Sequence, residues 1–425
     1  MTGKMEQLET VIIGGGHAGL TMSYFLSQAK REHVILERGQ VGERWRSERW
    51  DSFCFQFPNW TIELPGYKYQ CDDPEAFAPG REVVRFIEEY ATHIKAPIRC
   101  GVEVASLERT EDSSRYLLTT NNGAIEAANV VIATGPYQLP VIPAMSAQVP
   151  NNILQVHSNA YRNPAQLPPG AVLVVGSGAS GCQIADDLNQ SGRKVYLSVG
   201  RHSRMPRRYR GQDFAYWGAA LKRPEQIVDT VPLNLRDGSE VLLTGANGGY
   251  DVDLRAMAAR GIVLLGHLQD NKDANLVLAD DLAQNLAKGD EALENFTKAV
   301  DDYIAKNGLE VPQEQRSKLN PNDAKEIPAP LLNLNLKHAG INAIVWASGF
   351  RCNFDFVKLP VFDGAGEPVH RRGVTQFPGI YFLGLRWLYK RKSAFLLRAS
   401  GAEDAAYLAE QIMAGAKDSR ERPRG

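Results

Sequence analysis

Two segments built on the same plan constrain this chain more than anything else in it. Val11-Ile12-Ile13 runs into Gly14-Gly15-Gly16-His17-Ala18-Gly19, and Val172-Leu173-Val174-Val175 runs into Gly176-Ser177-Gly178-Ala179-Ser180-Gly181. Each is an apolar, strand-like run followed by G-x-G-x-x-G. The first glycine of such a turn permits a tight strand-to-helix reversal. The second lets the backbone approach a pyrophosphate, and the third lets the helix lie close on the strand. Phosphates then meet free amide groups and the positive end of a helix dipole. One such turn can be a plain structural glycine cluster. Two, each opening a strand–helix–strand pattern, predict two Rossmann-like units holding two dinucleotides, and the simplest use of two is to pass a hydride between them. The candidates for binding them are Gly14, Gly16, His17, Ala18 and Gly19 in the first turn, and Gly176, Ser177, Gly178, Ser180 and Gly181 in the second.

The second strand of each unit separates the two ligands. His33-Val34-Ile35-Leu36 ends in Glu37, 18 residues past Gly19. A carboxylate at that strand end accepts hydrogen bonds from a ribose diol and repels a 2′-phosphate, which suits FAD or NAD. Arg38 beside it is a further candidate. After the second turn, Val195-Tyr196-Leu197-Ser198-Val199 has no acid at its end and leads to Arg201 and Arg204. Guanidinium groups there suit the 2′-phosphate of NADPH. A solvated basic loop is the alternative, because Arg207, Arg208 and Arg210 continue the charge.

Composition narrows the class. A chain of 425 residues predicts two domains, and 44% hydrophobic residues predict a globular protein with a sizeable core. A net charge of −1 gives no reason to expect nucleic acid as a partner, and no apolar run is long enough to span a bilayer. The N-terminal residues lack the apolar stretch of a signal peptide. The five cysteines form no C-x-x-C pair, which speaks against a redox disulfide of the thioredoxin-reductase kind, against a zinc site and for a reducing, cytoplasmic setting. No metal ligands are assigned. Cys182, just inside a helix start, has either a lowered pKa or a packing role, and we prefer packing.

The expected fold class is α/β, with two Rossmann-like dinucleotide domains and the second inserted in the first. Residues 8–45 read as strand, helix, strand, and 80–95 as an amphipathic helix buried through Val83, Val84, Phe86, Ile87, Tyr90 and Ala91. Val130–Gly135 is a buried strand ending in a glycine turn, and Ile344–Phe350 repeats that ending. The stretch 211–335 carries helical patterns near 281–306 and few motifs. A strand within 379–384, a helix near 400–414 and a charged, disordered tail from 417 complete the chain. The expected boundaries are 1–155 for the first part of the FAD domain, 156–340 for the NADPH domain with a long insertion, and 341–425 for the return to the FAD domain.

These motifs together resemble the class B flavin-dependent monooxygenases, a family that includes flavin-containing monooxygenases and plant YUCCA-type enzymes. Both glycine-rich turns match in order and spacing. Gly42-Glu43-Arg44-Trp45-Arg46 is similar to the family's G-G-x-W-R, and Ala133-Thr134-Gly135 and Ala347-Ser348-Gly349 resemble its A-T-G strand endings. His157-Ser158-Asn159-Ala160-Tyr161 resembles its H-S-x-x-Y segment. The usual F-x-G before that histidine is missing, since Asn151 and Ile153 stand there, and Tyr161-Arg162 replaces the pair typical of Baeyer–Villiger enzymes. That leans toward heteroatom or YUCCA-like oxygenation. By this resemblance Trp45, Arg46 and Gln56-Phe57-Pro58 lie along the flavin, Thr134, Gly135, Ser348, Gly349 and Gly384 lie near the cofactors, and Gln56 and His157 are the catalytic candidates. His157 alternatively orients NADP+ or the linker between domains. Trp50–Tyr69, with Trp60, Tyr67 and Tyr69, is either the wall of an aromatic-lined site or a packed surface loop.

The resemblance implies that NADPH reduces FAD and that O2 adds at the flavin C4a position. The resulting (hydro)peroxide gives one oxygen atom to a small organic substrate and releases the other as water. The protein must align the two rings and exclude water. Two further readings stay open: an NAD(P)H oxidase or flavin reductase, and a non-catalytic flavoprotein that senses redox state. The expected partners are a small-molecule substrate and O2, with a homodimer left open.

Overall fold

The computed structural model describes residues 5–110, 114–232, 236, 241–314, 330–398 and 401–421. Two sheets organise them. The first has seven strands. Ile98–Cys100, His33–Glu37, Glu6–Ile13 and Gly123–Ile132 lie side by side and parallel, and Ile380–Phe382 adds a further parallel strand against Gly123–Ile132. Tyr116–Thr120 and Val104–Arg109 continue from Gly123–Ile132 as an antiparallel meander. The second sheet is parallel throughout, in the order Leu154–His157, Ile341–Trp346, Ala171–Val175, Val195–Ser198 and Val263–Leu265.

The central strands are apolar along their whole length because a parallel sheet is covered on both faces. Ala171–Val175 shows this residue by residue. Val172 and Val174 enter one core with Cys182, Ile184 and Leu188 of the following helix, while Leu173 and Val175 enter another with Tyr196, Leu265 and Trp346. Each such side chain removed from water contributes about 1.5–3 kcal/mol. On the first sheet, helix His17–Gln28 packs against the C-terminal helix Ala402–Glu421. Helix Gly80–His93 buries the six residues expected of it. Among the described residues, no helix is long and apolar enough to cross a membrane.

Two expectations need correction. The strand Ile341–Trp346 belongs to the second sheet, between Leu154–His157 and Ala171–Val175, so the chain returns to the first sheet after Trp346 and not at 341. Its parallel pairing on both sides is what an apolar run of that length requires. The last helix continues through Glu421 instead of ending near 414, so the first residues of the expected tail are helical; residues 422–425 lie outside the described residues.

The crossings between the sheets touch. Leu139–Pro140 on the way out pairs antiparallel with Phe350–Arg351 on the way back. Gln138 ties them further: its Nε2 donates to Thr134 Oγ1 at 2.9 Å and its Oε1 accepts from the Asn353 amide at 2.9 Å.

Candidate active site

Each glycine-rich turn is built as its sequence demands. Gly14 has φ +116°, and a Cβ there would lie 2.6 Å from the Ala133 carbonyl oxygen. Gly176 has φ +108°, and a Cβ there would lie 2.5 Å from the Ala347 carbonyl oxygen. The two A-[TS]-G strand endings therefore seat one turn each. Gly19 and Gly181 are pressed against the carbonyls of Gly14 and Gly176, leaving no space for a side chain. Gly16 and Gly178 differ: a Cβ on either would meet nothing within 4 Å.

That open space lies at two helix starts without side-chain caps. The first backbone bond is donated by Leu20 to the Gly16 carbonyl in one helix and by Cys182 to the Gly178 carbonyl in the other. The preceding amides are left for a ligand, and the helix dipole makes that ligand an anion. His17 adds a buried Nε2 without a partner, and burial lowers its imidazole pKa to about 4 against a weaker opposing bond from the Ala394 backbone. Both turns thus fit a dinucleotide pyrophosphate.

The carboxylate of Glu37 spans the strand end, accepting from the amides of Gly15 at 2.7 Å and Gly39 at 2.8 Å. Arg38 is exposed next to it. Gly384, at φ +73°, abuts Ala18 closely enough that a Cβ would come within 2.7 Å of the alanine methyl. Thr134 and Gly135 lie beside the first turn, as the Ala133 contact requires.

The basic loop divides. Arg201 is exposed with no hydrogen bond or ion pair to any described residue, whereas Arg204 is held by Asp253 at 2.5 Å and Asp290 at 2.9 Å with 11% of its side chain exposed. Of the two, Arg201 is the one available to a 2′-phosphate. Ser177 Oγ is bonded to Gly200, donating to its carbonyl at 3.3 Å and accepting from its amide at 3.1 Å, which ties the second turn to the start of that loop. Ser180 is half-buried in the first turn of the helix. Cys182 is a packing residue, its thiol pushed up to about 12 by burial and then by Asp186.

Four further expected site residues have these partners within the protein. Arg46 reaches Glu88 at 2.6 Å on the surface of helix Gly80–His93. Trp45 packs between Phe53 and Phe55, with ring centroids 6.1 and 5.9 Å away. His157 is a buried joint at the crossing: Nε2 donates to the Gly349 carbonyl at 2.9 Å, Nδ1 lies 3.0 Å from Asn159 Oδ1, and the ring meets Phe350 edge-on at 4.9 Å. Burial lowers its pKa, and both ring nitrogens are engaged within the crossing. Ser348 Oγ likewise donates to the Val141 carbonyl at 2.5 Å, across the same crossing.

A cavity of about 320 Å³ opens between three segments distant in sequence. Gln56 and Trp60 form one side, helix Phe214–Ala220 with Arg223 another, and Arg386 to Arg398 a third. The third side is anchored to the first helix by Gly384 on Ala18 and by the Ala394 backbone on His17. The first side is held by Arg207, whose Nη1 donates to the Gln56 carbonyl at 2.7 Å. Its guanidinium forms a fully buried ion pair with Asp213 at 2.7 Å. The aromatic segment divides accordingly: Trp60 lines the cavity, Trp50 enters the second domain's core, and Tyr67 and Tyr69 pack on Phe86. Arg223, Phe214 and the basic run 386–398 carry no motif, and sequence reasoning missed them.

Two dinucleotide turns on two sheets with parallel central strands, and a cavity walled by segments of the chain more than 300 residues apart, define a two-domain flavin-dependent oxidoreductase. Residues 11–223 match the model of the pyridine nucleotide-disulphide oxidoreductase family, and the chain belongs to it. It is 31% identical over 409 residues to an uncharacterized CzcO-like oxidoreductase of Geobacillus kaustophilus, covering 96% of this chain and 98% of that one. It is also 26% identical over 242 residues to the probable indole-3-pyruvate monooxygenase YUCCA4 of Arabidopsis thaliana, covering 56% and 57%. The fold is that of a flavin-containing monooxygenase from Stenotrophomonas maltophilia, with a TM-score of 0.67 at 18% identity over 97% of this chain and 100% of that one. Within the family the likeness is to the class B flavin-dependent monooxygenases.

Proposed function

We propose that this chain is an NADPH-dependent FAD monooxygenase that inserts one oxygen atom of O2 into a small organic substrate. Residues from about 154 to 346 form the NADPH domain inserted in the FAD domain. The observation that carries the reading is the pair of uncapped helix starts at Gly16 and Gly178, each open to an anion, with a separate cavity one wall of which belongs to a segment anchored on the first helix. When bound, FAD supplies the hydride acceptance and oxygen activation. The chain's own residues do the rest. The amides of Gly16 to Ala18 hold the FAD pyrophosphate and Glu37 its ribose, while the amides of Gly178 to Ser180 hold that of NADPH and Arg201 its 2′-phosphate. Gln56 faces the substrate cavity at a position set by Arg207, and the aromatic walls exclude water.

The test is to monitor NADPH and H2O2 together in the FAD-loaded protein under air. A monooxygenase consumes NADPH in response to a substrate without releasing matching H2O2. Stoichiometric H2O2 with every compound tried would make the protein an oxidase or flavin reductase. No NADPH oxidation at all would leave a redox-sensing flavoprotein.

A further inference from the structure

The cavity walled by Trp60, Phe214 and the 386–398 segment holds more positive charge than its described surroundings neutralise. Of the basic residues lining it, Lys392 is buried and bonded to Glu225 at 2.5 Å, and Arg398 is paired with Glu63 at 3.1 Å. Glu225 lines the cavity, but Lys390 holds it as well, at 2.7 Å. Burial would raise that carboxyl, yet the two lysines outweigh burial and keep its pKa low. It is therefore already neutralised.

Arg223 and Arg386 are different. Neither guanidinium has a hydrogen bond or an ion pair with any described residue. Arg386 is exposed, while Arg223 is largely enclosed, its guanidinium lying 5.3 Å over the Phe296 ring. Burial, and next the charge of Arg391, push the Arg223 pKa down to about 10, so it remains a cation at neutral pH. A desolvated cation without a counter-charge is unfavourable until an anion joins it. Around it stand flat apolar surfaces: Trp60, Phe214, Trp387 and Phe395.

We propose that this cavity takes an organic anion, a carboxylate carried on a flat aromatic body, with Arg223 as its anchor and Arg386 at its exposed side. A planar guanidinium matches a carboxylate with two parallel hydrogen bonds, as a lysine cannot. The volume suits a single small molecule. No residue of either glycine-rich turn lines the cavity, so it is separate from the cradles assigned to the dinucleotide phosphates. The inference names the substrate class of the monooxygenase proposed above and rests on that reading, but its test does not need turnover.

The test is calorimetric titration of the FAD-loaded protein, saturated with NADP+, with phenylacetate and cinnamate and with their uncharged amides. The acids should bind at least about tenfold more tightly than the amides. Arg223→Gln should remove that difference, a loss of about tenfold or more for the acids, while Arg223→Lys keeps part of it. Retained flavin checks that each variant has folded; should Arg223→Gln lose it, Arg223→Lys and Arg386→Gln carry the comparison. Equal affinity for acid and amide, or a preference that survives these substitutions, overturns the proposal. So does competition between the acids and NADP+, which would make Arg223 a ligand of the cofactor phosphate. Acid binding that depends on Arg223, together with H2O2 matching NADPH at every acid concentration, supports the anion site and sinks the monooxygenase reading instead.

Discussion

Replacing Gly16 by alanine separates a glycine needed by the backbone from one needed by a ligand. Gly16 sits at φ −84° and ψ −178°, which any residue adopts, and its Cβ would meet nothing within 4 Å. In flavin-free protein Gly16→Ala should therefore leave stability unchanged or raise it by about 0.4–1 kcal/mol through the unfolded chain. Gly14→Ala forces alanine to φ +116° and its methyl to 2.6 Å from the Ala133 carbonyl oxygen. The backbone strain alone costs about 1–3 kcal/mol, before any shift of the strand end. With FAD present the order reverses for Gly16. A methyl group occupies the approach of the pyrophosphate and disrupts one or two hydrogen bonds to a charged group, each about 1.5–3 kcal/mol. Since about 1.4 kcal/mol is tenfold in affinity, flavin should bind roughly tenfold to ten-thousandfold more weakly. Denaturant titration of the stripped proteins gives the first quantity and quenching of FAD fluorescence the second. Full flavin affinity in a stable Gly16→Ala protein would refute the cradle. Destabilisation of the stripped Gly16→Ala protein to the level of Gly14→Ala would show that the glycine serves the backbone alone. Gly178→Ala makes the same comparison in the second turn, read as the NADPH concentration needed to reduce the flavin without oxygen.

Arg201→Ala should raise KM for NADPH more than for NADH; an equal effect on both would show that Arg201 does not read the 2′-phosphate. Asp213→Ala leaves Arg207 buried without its partner and should cost about 3–5 kcal/mol in denaturant melts; a loss below about 1 kcal/mol would mean that the pair does not hold the cavity wall. His157→Asn should lower stability but keep both limbs of the pH profile of kcat, whereas loss of a limb would restore it as an acid–base residue. His17 is held neutral in the fold, its pKa about 4 against 6.5 ordinarily, so between those values the unfolded chain binds a proton that the native state refuses. Its contribution is complete above pH 6.5 and is lost as pH falls toward 4, amounting to about 2 kcal/mol between pH 7 and 5. His17→Gln should flatten that slope in the flavin-free protein, and parallel pH profiles of wild type and variant would contradict the assignment.

What the sequence made legible was local. A glycine at a positive φ, an acid at a strand end and a helix with six inward-facing residues each announce themselves within a window of about twenty residues, and each stands where its pattern requires. Pairing between distant segments was not legible. Ile341–Trp346 is an apolar run ending in Ala-Ser-Gly, and a strand buried on both faces carries no mark of the sheet it joins. Arg201 and Arg204 read alike until Asp253 and Asp290, 49 and 86 residues beyond Arg204, claim the second. The cavity is the extreme case. Its cation, Arg223, comes from a stretch without motifs, and two of its three walls come from segments more than 150 residues away, one on either side. The nucleotide cradles recur because every dinucleotide presents the same pyrophosphate, so their glycines sit at fixed spacing. A substrate pocket has no such constant partner. It is assembled from whatever side chains the two domains bring together, and that is why its charge became visible only in three dimensions.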